Sequence, residues 1–270
     1  MILCNYHTHT TFCDGKNTAE EMVLTAIEKG FARLGFSGHG FADFDPDYPM
    51  SREATPLYCA EIRRLREKYA GEIEIYLGME RDYYGDEPRE PLDFVIGSAH
   101  GVAAGGDYVH VDASREQQKQ GVDELFGGDY YAFCRAYFAV MADILRVTKC
   151  DIVGHFDLVT KFNEACDLFD PNDPRYLRPA LETVESLCRA GALFEINTGA
   201  MTKGYRTVPY PAEPLLRAIH GFGGAIVLSS DSHTRESLGA FFPEAAALAK
   251  RCGFRTERVL SKHGWEDIPL

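Results

Sequence analysis

Nowhere in the chain do about 18 apolar residues run uninterrupted, so no segment is long enough to cross a bilayer as a helix. Basic charge is also scarce. Lysine and arginine number 28 against 41 aspartates and glutamates, a net charge of −13. That balance argues against nucleic-acid polymers or membrane surfaces as partners, since both rely on a basic footprint. The eight cysteines, Cys4, Cys13, Cys59, Cys134, Cys150, Cys166, Cys188 and Cys252, include no C-x-x-C pair. Thiolate zinc knuckles are therefore not expected, and scattered cysteines on apolar stripes read as reduced packing thiols. The N-terminus lacks the basic and long apolar regions of a signal peptide, so a cytoplasmic protein is expected. No Pro/Gly/Ser-rich linker, internal repeat or low-complexity tract divides the chain. With 270 residues, 45% of them hydrophobic, it is long enough to bury one full core, and residues 1–270 are expected to form one domain.

What the chain does contain is histidine at the ends of apolar runs. Ile2-Leu3-Cys4 leads through Asn5-Tyr6 to His7-Thr8-His9. Side chains two apart on an extended backbone point the same way, so both imidazoles leave one strand end toward a common point. The pattern recurs. Arg33 to Gly38 leads to His39, Ile73 to Met79 leads to Glu80, and Asp93 to Ala99 leads to His100. Asp151 to Gly154 leads to His155, Ala192 to Ile196 leads to Asn197, and Ala225 to Ser230 leads to Asp231 and His233. Short apolar runs bounded by glycine read as strands buried on both faces, as a parallel sheet requires.

Helical spacing fills the intervals. Thr18-Ala19-Glu20-Glu21 is a capping box before Met22, Ala26 and Ile27, with Gly30 at the C-terminal cap. Thr55-Pro56 opens a second helix. A third is expected from Asp129 to Val147, another through Leu177 to Leu187 closed by Gly191, then Pro214 to His220 and Glu236 to Cys252. Their apolar stripes read as packing faces. Alternating strands and helices imply a parallel α/β fold, and polar residues after nearly every strand favour a closed ring over an open sheet with one switch point. The expected architecture is a distorted (β/α)7 TIM-like barrel, with an insertion at about residues 101–128.

In such a barrel the candidate metal ligands His7, His9, Asp14, His39, Glu80, His100, His155, Asp231 and His233 converge on one mouth. A capped turn or a surface imidazole explains any one of them, but not the same arrangement at seven strand ends. His110, His220 and His263 fall elsewhere, and exposure or helix-end stabilisation is expected for them. Nine ligands exceed one tetrahedral site, so two or three divalent ions sharing a carboxylate are expected, and mixed imidazole–carboxylate ligation suits zinc, manganese or iron. Ions roughly 3.5–4 Å apart can acidify a bridging water and clamp a phosphoryl group.

The motifs His7-Thr8-His9, Gly38-His39, Gly78-Met79-Glu80, Ser98-Ala99-His100, Gly154-His155 and Asp231-Ser232-His233 resemble, in order, those of the PHP (polymerase and histidinol phosphatase) family. The resemblance implies a PHP barrel with a trinuclear site. His7, His9, Glu80 and Asp231 would hold one ion, Glu80 with His100 and His155 a second, and Asp14, His39 and His233 a third. Gly154 to Val159, Glu195-Ile196-Asn197-Thr198 and the stretch from Asp112 to Tyr130 resemble the histidinol-phosphate phosphatase branch. Two departures stand out. Thr160 occupies a place that is often basic, with Lys161 next, and four residues separate Asn197-Thr198 from Lys203, with Arg206 beyond it.

The implied activity is hydrolysis of L-histidinol phosphate, a step of histidine biosynthesis, by attack of metal-bound hydroxide on phosphorus. Glu80, Asp231 and His233 are the expected catalytic residues, and Lys161, Lys203, Arg206 and Arg235 the candidate phosphate contacts. The insertion, with Asp107, Tyr108 and Asp112, is expected to shape substrate choice, and its carboxylates would suit a cationic amine on a small phosphorylated substrate. Rival readings are a phosphoesterase for another small ester or a nucleotide, amidohydrolase-like C–N cleavage, and a non-catalytic metal-binding regulatory module. The oligomeric state is not readable from the sequence.

Overall fold

The computed structural model describes residues 3–44, 48–89 and 91–270, so Ile2 of the first apolar run lies outside the described residues. The chain opens with β1 (Leu3–Asn5), α1 (Ala19–Glu28), β2 (Phe31–Phe36), α2 (Ala54–Lys68), β3 (Glu74–Asp82) and β4 (Phe94–Ser98). A hairpin of β5 (Gly101–Ala104) and β6 (Asp107–His110) and the helix α3 (Arg115–Phe126) follow. Then come α4 (Tyr130–Ala142), α5 (Ile144–Thr148), β7 (Ile152–Val153), α6 (Pro174–Arg189) and β8 (Leu193–Asn197). The last third holds α7 (Gly199–Thr202), α8 (Glu213–Gly221), β9 (Ala225–Ser229), α9 (Phe242–Cys252), β10 (Thr256–Ser261) and β11 (Gly264–Pro269).

Seven strands form one sheet in the order β1-β2-β3-β4-β7-β8-β9, and every pairing between neighbours is parallel. The ring closes just beyond its first and last strands. His9 N–H donates to the Ser232 carbonyl at 2.9 Å and Ser232 N–H to the His7 carbonyl at 3.1 Å. The expected seven-stranded barrel is therefore what forms. Among the described residues no helix is long and apolar enough to cross a membrane.

Two apolar layers hold the ring. Residues such as Leu34, Leu77, Phe194 and Leu228 face outward and are covered by buried stripes from α1, α2, α4, α6, α8 and α9. The interior layer of Tyr6, Phe94, Ile96, Ile152 and Val227 fills the end where the strands begin. It leaves no space at Gly78, where a β-carbon would lie 2.3 Å from the Phe94 ring. The β10–β11 hairpin plugs that end: Tyr6 donates its hydroxyl to the Leu260 carbonyl at 2.6 Å, and Trp265 packs on Tyr6. This hairpin was not anticipated from sequence.

The α1 capping box forms as expected, with Thr18 N–H donating to Glu21 Oε2 at 2.8 Å. The expected helix from Asp129 to Val147 is instead two, broken at Asp143, whose backbone N–H bonds the Val140 carbonyl at 3.1 Å. The helix expected from Glu236 starts only at Phe242, because Thr234 and Ser237 form a turn through reciprocal hydroxyl bonds and Phe241 has φ near 61°.

Candidate metal centre

Each strand delivers its polar residue to the open end of the ring, where Glu80 stands at the centre. Glu80 is 1% exposed and its two oxygens face different groups. Oε1 accepts from Ser98 Oγ at 2.6 Å and lies 2.9 Å from His155 Nε2 and 3.4 Å from His100 Nε2. Oε2 lies 2.9 Å from His39 Nδ1, 3.1 Å from His7 Nε2 and 3.5 Å from His9 Nε2. Asp231 Oδ1 is 3.2 Å from His9 Nε2 and 3.4 Å from His233 Nδ1, while Asp14 Oδ2 is 3.0 Å from His233 Nε2. All nine expected ligands thus gather at one rim, and three overlapping groups have geometry able to hold an ion: His9, Asp14, His39 and His233; His7, His9 and Glu80; His39, Glu80 and His100. His39 is shared between two of these, facing Glu80 as well as Asp14, which the resemblance alone did not suggest.

The donor chemistry fits metal ions. His7 Nε2, His9 Nε2, Asp14 Oδ1 and Glu80 Oε2 are buried without a hydrogen-bond partner, which is costly unless something else satisfies them. Burial, with the neighbouring His233 and His39, lowers the His9 pKa to about 3, leaving the neutral imidazole a ligand requires. Burial alone would lower His7 and His100, but Glu195 and Glu80 around His7, and Glu80 and Asp112 around His100, hold both raised. Burial also opposes ionisation of Glu80 and Asp231, yet the surrounding imidazoles keep both carboxyls well below their ordinary range. The cluster is thus a set of carboxylates that needs nearby positive charge to coexist.

Second contacts fix the ring orientations. His7 Nδ1–H donates to Glu195 Oε2 at 2.9 Å, and the other Glu195 oxygen accepts from the His155 backbone N–H at 2.5 Å and from Asn197 Nδ2 at 2.8 Å. Asp82 Oδ2 accepts from both the backbone N–H and Nδ1 of His100, at 2.8 and 3.1 Å. Glu195 and Asp82 were not singled out from sequence as site residues. The available signal was a lone charge inside the apolar run Ala192 to Ile196, and, for Asp82, a carboxylate two residues beyond Glu80 on one strand. Asp231 takes φ near 47°, and Gly199 leaves it room, since a β-carbon there would sit 2.8 Å from Asp231 Oδ2.

Above this floor opens a cavity of about 400 Å3 whose walls include Tyr48, Asp112, Lys161, Lys203 and Tyr210. Lys161 Nζ donates to the Asp112 carbonyl at 2.7 Å and lies 3.2 Å from its carboxylate. Of the four basic residues expected to contact phosphate, Lys161 and Lys203 line this cavity. Arg206 does not: it lies behind the Leu158–Thr160 turn, bonded to Thr160 Oγ1 and paired with Glu164 at 3.5 Å. Arg235 is exposed and pairs with Glu236 at 2.9 Å. His110 lies in β6 with its ring on Phe44, so it is packed rather than simply solvated. His220 occupies the last turn of α8 against Phe254, and His263 is exposed.

The PHP domain family model matches residues 5–199. A probable histidinol-phosphatase of Deinococcus radiodurans is 31% identical, over 94% of this chain and 95% of its own length. The histidinol-phosphatase of Bacillus subtilis is 26% identical, over 91% of this chain and 98% of its own. Among solved structures, the histidinol phosphate phosphatase of Lactococcus lactis, complexed with zinc, L-histidinol and phosphate, is 23% identical and superposes with a TM-score of 0.74, covering 98% of this chain and 99% of that one. With its parallel ring, its ligand-bearing strand ends and these likenesses together, the chain belongs to the PHP domain family.

Proposed function

We propose that this chain is a phosphoric monoester hydrolase that converts L-histidinol phosphate to L-histidinol and inorganic phosphate. The observation that carries the reading is Glu80: one carboxylate with five imidazoles around its two oxygens, at the floor of a cavity with two lysines on its wall. The 31% identity to a probable histidinol-phosphatase over nearly the whole of both chains supports the substrate.

His7, His9, Asp14, His39, Glu80, His100, His155, Asp231 and His233 would hold two or three zinc, manganese or iron ions. Such ions, when bound, acidify water and offset the charge of a phosphoryl group. The chain's own contribution is placement. Glu195 and Asp82 fix the His7 and His100 rings, so the floor does not reorganise as charge develops. Lys203 and Lys161 place ammonium groups on the cavity wall where phosphate oxygens can be neutralised. Asp112 restrains Lys161 and offers its carboxylate to the cationic amine of the substrate. Residues 1–270 form one catalytic unit, with the 101–128 insertion supplying Asp112 to the cavity wall. A volume of about 400 Å3 suits a small phosphorylated molecule and not a polymer.

Elemental analysis combined with phosphate release from histidinol phosphate, nucleotides and sugar phosphates tests the reading. A preference for histidinol phosphate with bound transition metal is expected. Comparable turnover of the other esters would overturn the substrate, and metal content without turnover would make the chain a metal-binding module.

A further inference from the structure

The nine rim ligands are not held alike. Glu80 lies within β3, and His7, His100 and His155 follow directly on the ends of β1, β4 and β7. The side chains of His7, Glu80 and His155 are 0%, 1% and 3% exposed. Asp14 and His233 come instead from the loops after β1 and β9, and their side chains are 33% and 14% exposed. With His39 they form an outer corner of the site, open to the cavity. Asp14 Oδ1 is buried there without a hydrogen-bond partner, so this corner also calls for a cation.

The groups behind the ligands differ as well. Two inner imidazoles lean on carboxylates outside the ligand set, His7 on Glu195 at 2.9 Å and His100 on Asp82 at 3.1 Å. Among the described residues no such carboxylate stands behind the outer corner. His233 Nδ1–H donates to a neutral group, the Asp231 backbone carbonyl, at 3.0 Å. The carboxylate that it also approaches, Asp231 Oδ1 at 3.4 Å, is itself a ligand. Both nitrogens of His39 face carboxylates of the site, Glu80 at 2.9 Å and Asp14 at 3.7 Å. A charged partner behind a ligating imidazole raises its basicity and is worth about 10–100-fold in metal affinity.

We propose that an ion held by Asp14, His39 and His233 is exchangeable, whereas those on His7, Glu80, His100 and His155 are resident. The metal content of the folded chain then follows the free divalent-ion concentration around it. This regulation rests on the metal-dependent reading above, but not on which ester is hydrolysed. The corner keeps its shape as its ion comes and goes. Lys16 N–H donates to the His233 carbonyl at 2.7 Å, tying the two loops backbone to backbone. The Thr10 carbonyl accepts from Cys13 and Gly15 N–H at 3.0 and 3.1 Å, closing the turn that carries Asp14. Met50 N–H donates to the His39 carbonyl at 3.0 Å. Exposure then gives water or a chelator a route to the outer ion that the buried inner ligands deny.

Zinc release from the fully loaded chain supplies a readout independent of activity. The protein is mixed with an excess of a chromogenic chelator that reports free zinc, and the zinc retained after desalting is counted by elemental analysis. Release in two phases is expected, one ion per chain leaving about tenfold or more faster than the rest. Asp14→Asn should remove the fast phase and lower the loaded stoichiometry by one, with an unchanged circular dichroism spectrum. Glu195→Gln should quicken the slow phase and leave the fast one as it is. Release of all ions in a single phase, or a fast phase that survives Asp14→Asn or responds to Glu195→Gln, would overturn the exchange while the metal-dependent reading stands. A chain that takes up no zinc would overturn both.

Discussion

His7 and Glu195 are joined at 2.9 Å through Nδ1 and Oε2, and this one contact leaves the other nitrogen of His7 aimed at Glu80, 3.1 Å away. The same Glu195 takes the His155 backbone N–H on its second oxygen, so a single buried carboxylate sets two of the nine rim residues. Glu195→Gln keeps the shape but removes the charge that fixes the His7 tautomer. We expect metal affinity to fall about 10–100-fold with little loss of folding. Competition with a chelator measures this, and an unchanged metal dissociation constant would show that Glu195 is only a packing residue.

Glu80 carries more. Its two oxygens face both halves of the imidazole cluster, and no other carboxylate at the rim does so among the described residues. Glu80→Gln should lower turnover on the order of a hundredfold or more, the scale of losing one preorganised charge next to reacting oxygens. Metal stoichiometry, read by elemental analysis, should fall with it. Full turnover in the variant would remove the bridging role.

The position of these ligands was largely legible from the chain, for a physical reason. A parallel strand buried on both faces must be apolar, so a His, Asp or Glu at its end stands out, and the barrel topology gathers such ends at one rim. Glu195 was harder because it sits inside β8, and Asp82 because, although it ends β3, it follows Glu80, where the apolar run already stops, so neither gives a signal of its own. Arg206 was misplaced for a different reason. Separation along the chain put it close to Lys203, yet the turn at Leu158–Thr160 lies between it and the main cavity, and only packing shows that. The C-terminal hairpin went unseen because its strands matter only once a barrel end needs filling. Its turn Ser261-Lys262-His263-Gly264 is too ordinary to announce it.

Lys203 and Arg235 separate phosphate binding from general surface charge. Lys203 faces the main cavity and Arg235 faces solvent, paired with Glu236. Lys203→Met should reduce kcat/KM for the phosphate ester about ten- to a hundredfold, the range of a lost charge-assisted contact. Arg235→Met should change it little. Steady-state kinetics on the two variants decide the matter, and the reverse ranking would move the phosphate to the outer rim.

Glu257 tests the plugged end of the barrel, far from the metal centre. It is 2% exposed in β10, and one oxygen accepts the Leu228 N–H at 3.0 Å. Burial raises its pKa from 4.5 to about 7, only partly offset by that bond. The folded chain therefore holds this proton more tightly than the unfolded chain does. The sign follows: the contribution to stability is full below about pH 4.5, declines as pH rises, and is lost above about pH 7. Its size is about 3 kcal/mol at most. Glu257→Gln keeps an acceptor for Leu228 and has no proton to lose, so its stability relative to the parent should rise across that window. Urea midpoints at about pH 5 and about pH 8 measure the difference, using the linear dependence of unfolding free energy on denaturant. A parent-to-variant gap that stays constant between the two would mean that Glu257 is ionised throughout, and that the hairpin admits water to it.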